Sequence, residues 1–425
     1  MDEGRGPATV KQHAERIREL LEPVLSRGGA DTVPLADALA RVTAVDVVTP
    51  LDLPLFRNSQ MDGFAVRSAD LADLPAVLPI VGDQPAGAPA PEPLAPGTAR
   101  RIMTGAVVPD GADCIVPVED TDAVFRPVAS DADALTDQNG PRTVTIRVSR
   151  SPGEFVRDRG SDVRAGDVLV PAFVRLAPRH LAALAAAGIE TVCVRRRPRI
   201  AIITTGAELG ATGSTPPGHG RIFDSNAVAL RAAVSENGCE TVFADVSGDV
   251  PAELIRALDG AVAAKADLII TSGGISAGAF EVVRDVLVPL GGLIGTVAMQ
   301  PGGPQGTAIY RNVPVVAFPG NPVSTQISFA VFLAPFLRED AGLERLTPSI
   351  HRLRSAIASV PGKRQFLRGR WDGDHAALPE ERWVDLVSGP SSHLVAGMAR
   401  ADVLIDVPAE IIDLPAGSSV RVWEL

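Results

Sequence analysis

Small and hydroxyl residues follow directly on an apolar run at three places in the chain. The three are Ile200-Ala-Ile-Ile-Thr-Thr-Gly206, Leu268-Ile-Ile-Thr-Ser-Gly-Gly274 and Val313-Pro-Val-Val-Ala-Phe-Pro-Gly-Asn-Pro322. Each run has the length of a buried strand, and helical patterns lie between and after them. In an open α/β sheet, ligands bind in the crevice beyond the carboxyl ends of the strands. The candidate binding residues are therefore Thr205 and Gly206, then Ser272, Gly273, Gly274 and Ser276, then Pro319, Gly320, Asn321, Pro322 and Ser324. Backbone N–H groups and hydroxyls in such loops suit an anionic, phosphate-bearing ligand.

Carboxylates stand close to the same loops. Glu208 lies just beyond Gly206, and Asp224, Asp249 and Glu281 sit at or near helix starts. Helix capping accounts for each of the last three taken singly. Together with Glu208 they can hold Mg²⁺, which takes one or two carboxylates and fills its shell with substrate phosphates. An acidic protein would thereby bind an anion, since the formal charge of the 425-residue chain is −11.

The elements that must position these groups are legible in outline. Strands alternating with helices over about 198–340 describe a mostly parallel sheet. Its helices follow Asp224-Ser-Asn226 to Glu236, open at Asp249-Val-Pro251, and run over Phe280 to Leu290 and Val323 to Arg338. Before it, Val10 to Leu25 has helical spacing, Pro34 to Ala40 reads as a second helical piece, and Pro178 to Ala187 is a helix stopped by Gly188. Short strands broken by Pro and Gly fill about 51–148, the pattern of a small all-β domain, with Ser130 to Pro141 as a hairpin tip or loop. Short strands and turns return after Leu346, as in a β-barrel or sandwich.

Bulk properties exclude several classes. The acidic balance argues against nonspecific nucleic-acid binding, which needs a basic face. Cys114, Cys193 and Cys239 fit neither a disulfide framework nor a zinc site. No apolar run reaches the roughly 18 residues of a membrane span. The polar N-terminus is unlike a signal peptide, and a cytosolic protein is expected.

Two stretches in the β region go beyond generic turns: Asn58-Ser-Gln-Met-Asp-Gly-Phe-Ala-Val66 and Arg101-Ile-Met-Thr-Gly-Ala106. Taken alone, each reads as a strand with a turn. They resemble the hallmark motifs of MoeA-type molybdopterin molybdenumtransferases, the family that includes the gephyrin E domain. Thr204-Thr-Gly-Ala-Glu-Leu209, Asp224-Ser-Asn226, Ser272-Gly-Gly-Ile-Ser276 and Pro319-Gly-Asn-Pro-Val-Ser324 resemble the rest of the set, in the family's order.

The resemblance implies a multidomain α/β plus all-β fold. Its parts are a split helical domain (1–50 and 150–196), an inserted β domain (51–149), a MoaB/MogA-like α/β molybdopterin-binding domain (197–345) and a C-terminal β-barrel (346–425). It implies a homodimer in which Asp62 and Thr104 of one subunit complete the site of the other. Other proteins of the molybdopterin pathway are further candidate partners. The implied reaction transfers molybdate to adenylylated molybdopterin and releases AMP, with Mg²⁺ assisting. Asp62, Thr104, Glu208 and Asp249 would be catalytic, and Glu208, Asp249 and Glu281 would be the metal set. Asp224 would join the substrate-binding loops. Arg364 and Ser392, in Gly362-Lys-Arg-Gln-Phe-Leu-Arg368 and Gly389-Pro-Ser-Ser-His393, would help anchor molybdate.

The chain also departs from the family pattern. Ala207 stands where Asp is common, Gln300 and Gly303 stand where lysines are common, and Gly278-Ala-Phe-Glu-Val282 replaces Gly-Glu-Ala-Asp-Tyr. Loss of two ammonium groups beside anions keeps a second reading open, a gephyrin-like dimeric scaffold with reduced or no transferase activity.

Overall fold

The computed structural model of this chain describes residues 7–25, 28–123, 143–210, 218–276, 281–372 and 382–425. The expected tip at 130–141 lies outside them, as does the Phe280 start of the third helix. Contacts divide the chain into two compact units, Met1–Asp31 with Arg195–Leu425, and Thr32–Val194.

In the larger unit, six strands form one sheet in the order Glu240–Ser247, Arg199–Thr205, Leu268–Ser272, Val313–Phe318, Pro304–Tyr310, Leu293–Thr296. The first four are mutually parallel, and the last two strands join through antiparallel pairings. Helices cover both faces, so the central strands read as unbroken apolar runs; Ile200, Ile202, Ile203, Ile269 and Ile270 are all fully buried. Asp224 begins the helix Ser225–Glu236 by accepting a bond from the Ala227 N–H. Pro251 opens Pro251–Ala263 without loss, because the first helical N–H has no partner anyway.

Where a single helix is expected over Val323 to Arg338, two occur, Pro322–Phe332 and Ala334–Asp340. Pro335 supplies the break, having no N–H to bond back to Val331. Pro34 to Ala40 likewise yields only a single tight turn, Leu35–Asp37. The remaining chain of the larger unit closes a barrel from Arg364–Asp372, Trp383–Leu386, Ser349–Leu353, Ser419–Glu424 and Val403–Val407, the last pairing back onto the first. Of the expected barrel or sandwich, the barrel is what forms. No helix among the described residues is long and apolar enough to cross a membrane.

The N-terminal helix Val10–Leu25 belongs to the same unit. Thr9 and Gln12 cap it reciprocally, the Gln12 N–H to Thr9 Oγ1 and the Thr9 N–H to Gln12 Oε1. Ile17 and Leu21 enter the core that holds Ile202, Ile270 and Phe332. His13 goes in with them, 1% exposed and edge-on to Phe332 at 4.7 Å. Burial, with Arg16 nearby, lowers its pKa from 6.5 to about 4. The unfolded chain therefore takes up a proton below pH 6.5 that the native fold refuses until about pH 4. Stability is full above pH 6.5 and falls by about 3 kcal/mol on the way to pH 4. Thermal unfolding followed from pH 7 to 4.5 should show a loss that His13→Leu flattens; an equally steep loss in the variant would clear His13 of the effect.

The smaller unit has a five-stranded sheet in the order Cys114–Pro117, Gly63–Val66, Ala99–Ile102, Ala76–Gln84, Thr143–Ile146. Phe64, Val66, Val116, Val144 and Ile146 form its core. Gly63 has no alternative there, since a Cβ would sit 2.0 Å from the Val116 carbonyl oxygen. Helix Pro178–Ala186 also lies in this unit, and Gly188 ends it at φ +72°.

Candidate functional site

The three loops converge. Gly273 donates its N–H to the Phe318 carbonyl at 3.0 Å, joining the second loop to the third. A Cβ on Gly273 would lie 2.5 Å from Thr205 Oγ1, so the first and second loops touch as well. Gly273 adopts φ +104°, where side chains are strained in any case. Gly320 packs against Gly273, its hypothetical Cβ 3.2 Å from the Gly273 Cα.

Polar side chains knot the loops from beneath. Asn226, in the first turn of its helix, donates to Ser272 Oγ at 2.9 Å and to the Gly320 carbonyl at 2.7 Å. Ser272 Oγ is 3.0 Å from Thr325 Oγ1, whose hydroxyl donates to the Pro319 carbonyl at 2.6 Å. Ser272 is thus 1% exposed and braces the loops from inside. Asp224 combines its capping bond with one from Thr204 Oγ1 at 2.6 Å, tying the first strand to the helix.

Above this floor lies a cleft of about 980 Å³. It is lined by Thr205, Gly206, Glu208, Asp224, Asp249, Gly273, Gly274, Ser276, Glu281, Pro319, Gly320, Asn321, Pro322, Ser324 and Ser392, all expected from sequence. Gln300 and Gly303 line it too, so the two positions expected to carry lysine do face this space. Gln300 is engaged by the barrel, its Oε1 accepting from Gln365 Nε2 at 2.7 Å.

Arg364 does not line the cleft. Its Nε and Nη2 donate to the two oxygens of Asp406 at 2.7 and 2.5 Å, and its guanidinium lies over the Phe366 ring. The Asp406 bonds raise its pKa further. Its neighbour Lys363 lines the cleft, the only Lys or Arg among the described lining residues. Sequence reasoning also passed over Asn226, His393 and Phe223. Asn226 and His393 lie within motif stretches, and an aromatic directly before Asp224 is conspicuous in a chain with 4% aromatics.

Among the described residues, no three His, Cys, Asp or Glu side chains gather closely enough to cage a metal. Glu281 turns inward, accepting from the Ser276 N–H at 2.5 Å and from Ser276 Oγ at 2.6 Å. Glu208 and Asp249 both approach one dipeptide. Asp249 Oδ2 accepts from the Ala207 N–H at 3.3 Å, and Glu208 oxygens lie within 2.8 Å of where a Gly206 Cβ would be. Two exposed carboxylates beside a phosphate-suited loop fit Mg²⁺ completed by substrate oxygens.

In the smaller unit, the two hallmark motifs meet. Asp62 Oδ1 accepts from the Thr104 N–H at 2.7 Å and from Thr104 Oγ1 at 2.9 Å. Both residues are exposed, and Oδ2 of Asp62 has no partner among the described residues.

Comparison with known proteins agrees along the chain. Residues 8–188 match the MoeA N-terminal region (domain I and II), 201–339 a probable molybdopterin binding domain, and 351–425 the MoeA C-terminal region (domain IV). Molybdopterin molybdenumtransferase 2 of Mycobacterium tuberculosis is 39% identical, covering 98% of this chain and 99% of that protein. A molybdopterin molybdenumtransferase of Nostoc sp. is 36% identical, with 98% and 94% covered. The crystal structure of a molybdopterin biosynthesis MoeA protein from Pyrococcus horikosii superposes with a TM-score of 0.76 at 30% identity, over 96% of this chain and 98% of that one. Three family regions in their proper order, over a fold shared along nearly the whole length, make this chain a member of the MoeA family.

Proposed function

We propose that the protein is a molybdenum insertase of molybdenum-cofactor biosynthesis, transferring molybdate to the dithiolene of adenylylated molybdopterin with release of AMP. The observation that carries this reading is the locked set of loops at the sheet's carboxyl edge, in a cleft that two exposed carboxylates and Lys363 also line. Relatives bearing the transferase name over nearly the full length of this chain support it and disfavour the scaffold reading.

The reaction demands positioning and charge neutralisation more than a covalent nucleophile. The loops carrying Thr205, Gly206, Gly273, Gly274 and Ser276 cradle the phosphates; the Gly206 and Gly273 N–H groups and both donors of Ser276 bond within the protein and shape that cradle. Lys363 and Ser392 hold the molybdate oxyanion beside Pro319 to Pro322 and Ser324. Glu208 and Asp249 would hold Mg²⁺, which would supply charge neutralisation at the phosphate oxygens. Asp62, fixed through one oxygen by Thr104, offers its other oxygen to orient the attacking group, from the second subunit of a homodimer.

Subunit mixing tests this arrangement. Asp62→Ala and Asp249→Asn dimers should each lose AMP release. Mixed and re-dimerised, they should recover roughly a quarter of the wild-type rate, since a random mixture leaves half its dimers with one intact site. No recovery would remove the shared site from the mechanism.

A further inference from the structure

Phe223 is the feature of the cleft that the mechanism leaves unused. It is 39% exposed, and Ile222 beside it is 55% exposed, although both line the cleft. Most of the lining is glycine, hydroxyl, proline and carboxylate, and Phe223 is the only Phe, Tyr or Trp among the described lining residues. In a chain with so few aromatics, most of the phenylalanines pack in cores, as Phe64, Phe318, Phe332 and Phe366 do.

The backbone that presents this ring is fixed at both ends. Ile222 donates its N–H to the Glu208 carbonyl at 2.9 Å, and Asp224 donates its N–H to the Gly210 carbonyl at 3.0 Å. Asp224 is itself pinned by Thr204 and by the helix it caps. The phenyl group therefore stands on a hydrogen-bonded two-stranded ledge, Leu209–Gly210 against Ile222–Phe223, directly after the candidate metal ligand Glu208.

We propose that Phe223 is a positioning residue whose ring stacks on a flat heteroaromatic ring of the substrate. Stacking between aromatic side chains and nucleobases is strong and needs no hydrogen-bond code, so one exposed phenyl can orient such a ring while the loops hold the phosphate. The proposal rests on the insertase reading, because that substrate carries two flat rings, an adenine and a pterin. The geometry fixes the shared chemistry, and the experiment separates the two sources.

The full-length protein would be titrated with AMP, with 6-hydroxymethylpterin followed by its own fluorescence, and with inorganic phosphate. Phe223→Leu keeps apolar bulk and removes the π face; Phe223→Tyr keeps both. The expected result is a loss of about 10-fold in affinity for one of the two rings in Phe223→Leu. Phosphate binding should be unchanged, and Phe223→Tyr should behave as wild type. The ring that responds identifies the stacked partner. If Phe223→Leu binds both rings as wild type does, the stacking proposal is overturned while the insertase reading survives. If that variant changes only the oligomeric state, the ledge is a subunit contact and the proposal is equally overturned. If wild type binds neither ring, both proposals fall.

Discussion

Arg364→Ala is expected to destabilise the carboxy-terminal barrel by about 3–5 kcal/mol, a large fraction of a domain's stability. The Asp406 side chain is 0% exposed, and Arg364 neutralises it through two parallel bonds. Trp423 Nε1 donates to the same carboxylate at 3.2 Å but brings no charge. Removing the guanidinium leaves an uncompensated anion among Phe366, Val407 and their neighbours, or forces it to take up a proton. Either outcome lowers the unfolding midpoint by several degrees in a denaturation experiment. Because the pair is structural, Arg364→Ala combined with Asp406→Leu should recover much of the loss. A fully stable Arg364→Ala protein with impaired molybdate binding would instead return Arg364 to the site.

Lys363→Ala should do the reverse. The Lys363 side chain is exposed and bonds to no side chain or backbone group among the described residues, so its loss should leave stability within about 0.5 kcal/mol of wild type. It is, however, the only Lys or Arg on a described cleft wall that also carries Glu208, Asp224, Asp249 and Glu281. With Gln300 and Gly303 supplying no charge, an oxyanion depends on this ammonium and on backbone donors. A charge-assisted hydrogen bond contributes about 1.5–3 kcal/mol when shielded and less at an open rim, so a loss of about 10-fold in molybdate affinity is expected. Lys363→Arg should retain most of the affinity. Equal affinities in wild type and Lys363→Ala would mean that the anion sits elsewhere.

The contrast between these neighbours shows where the sequence stops informing. Lys363 and Arg364 are both cationic and adjacent. Lys363 closes the turn that precedes the strand and lines the cleft, whereas Arg364 opens the strand and bonds to Asp406 on its neighbour. Which is which depends on the pairing of Arg364–Asp372 with Val403–Val407, some 40 residues further along the chain. Ser272 is a similar case. It stands in a glycine-rich loop like a ligand hydroxyl, yet Asn226 and Thr325, both distant in sequence, claim it for the interior.

By contrast, the central sheet was open to reading. Ile200 to Thr205 and Leu268 to Ser272 are covered on both faces and so carry no polar alternation, and the small residues after them mark the ligand edge. The carboxylates were half legible. Their nearness to the loops follows from chain position, but the turn of Glu281 onto Ser276 is a matter of local hydrogen bonding that spacing does not encode.

AMP release by the purified wild-type protein, measured with adenylylated molybdopterin and with molybdate added or withheld, tests the central claim most directly. The account predicts release that requires both molybdate and Mg²⁺ and that disappears in Asp249→Asn. Protein that binds the nucleotide but never liberates AMP, or that liberates it equally well without molybdate, would contradict the account.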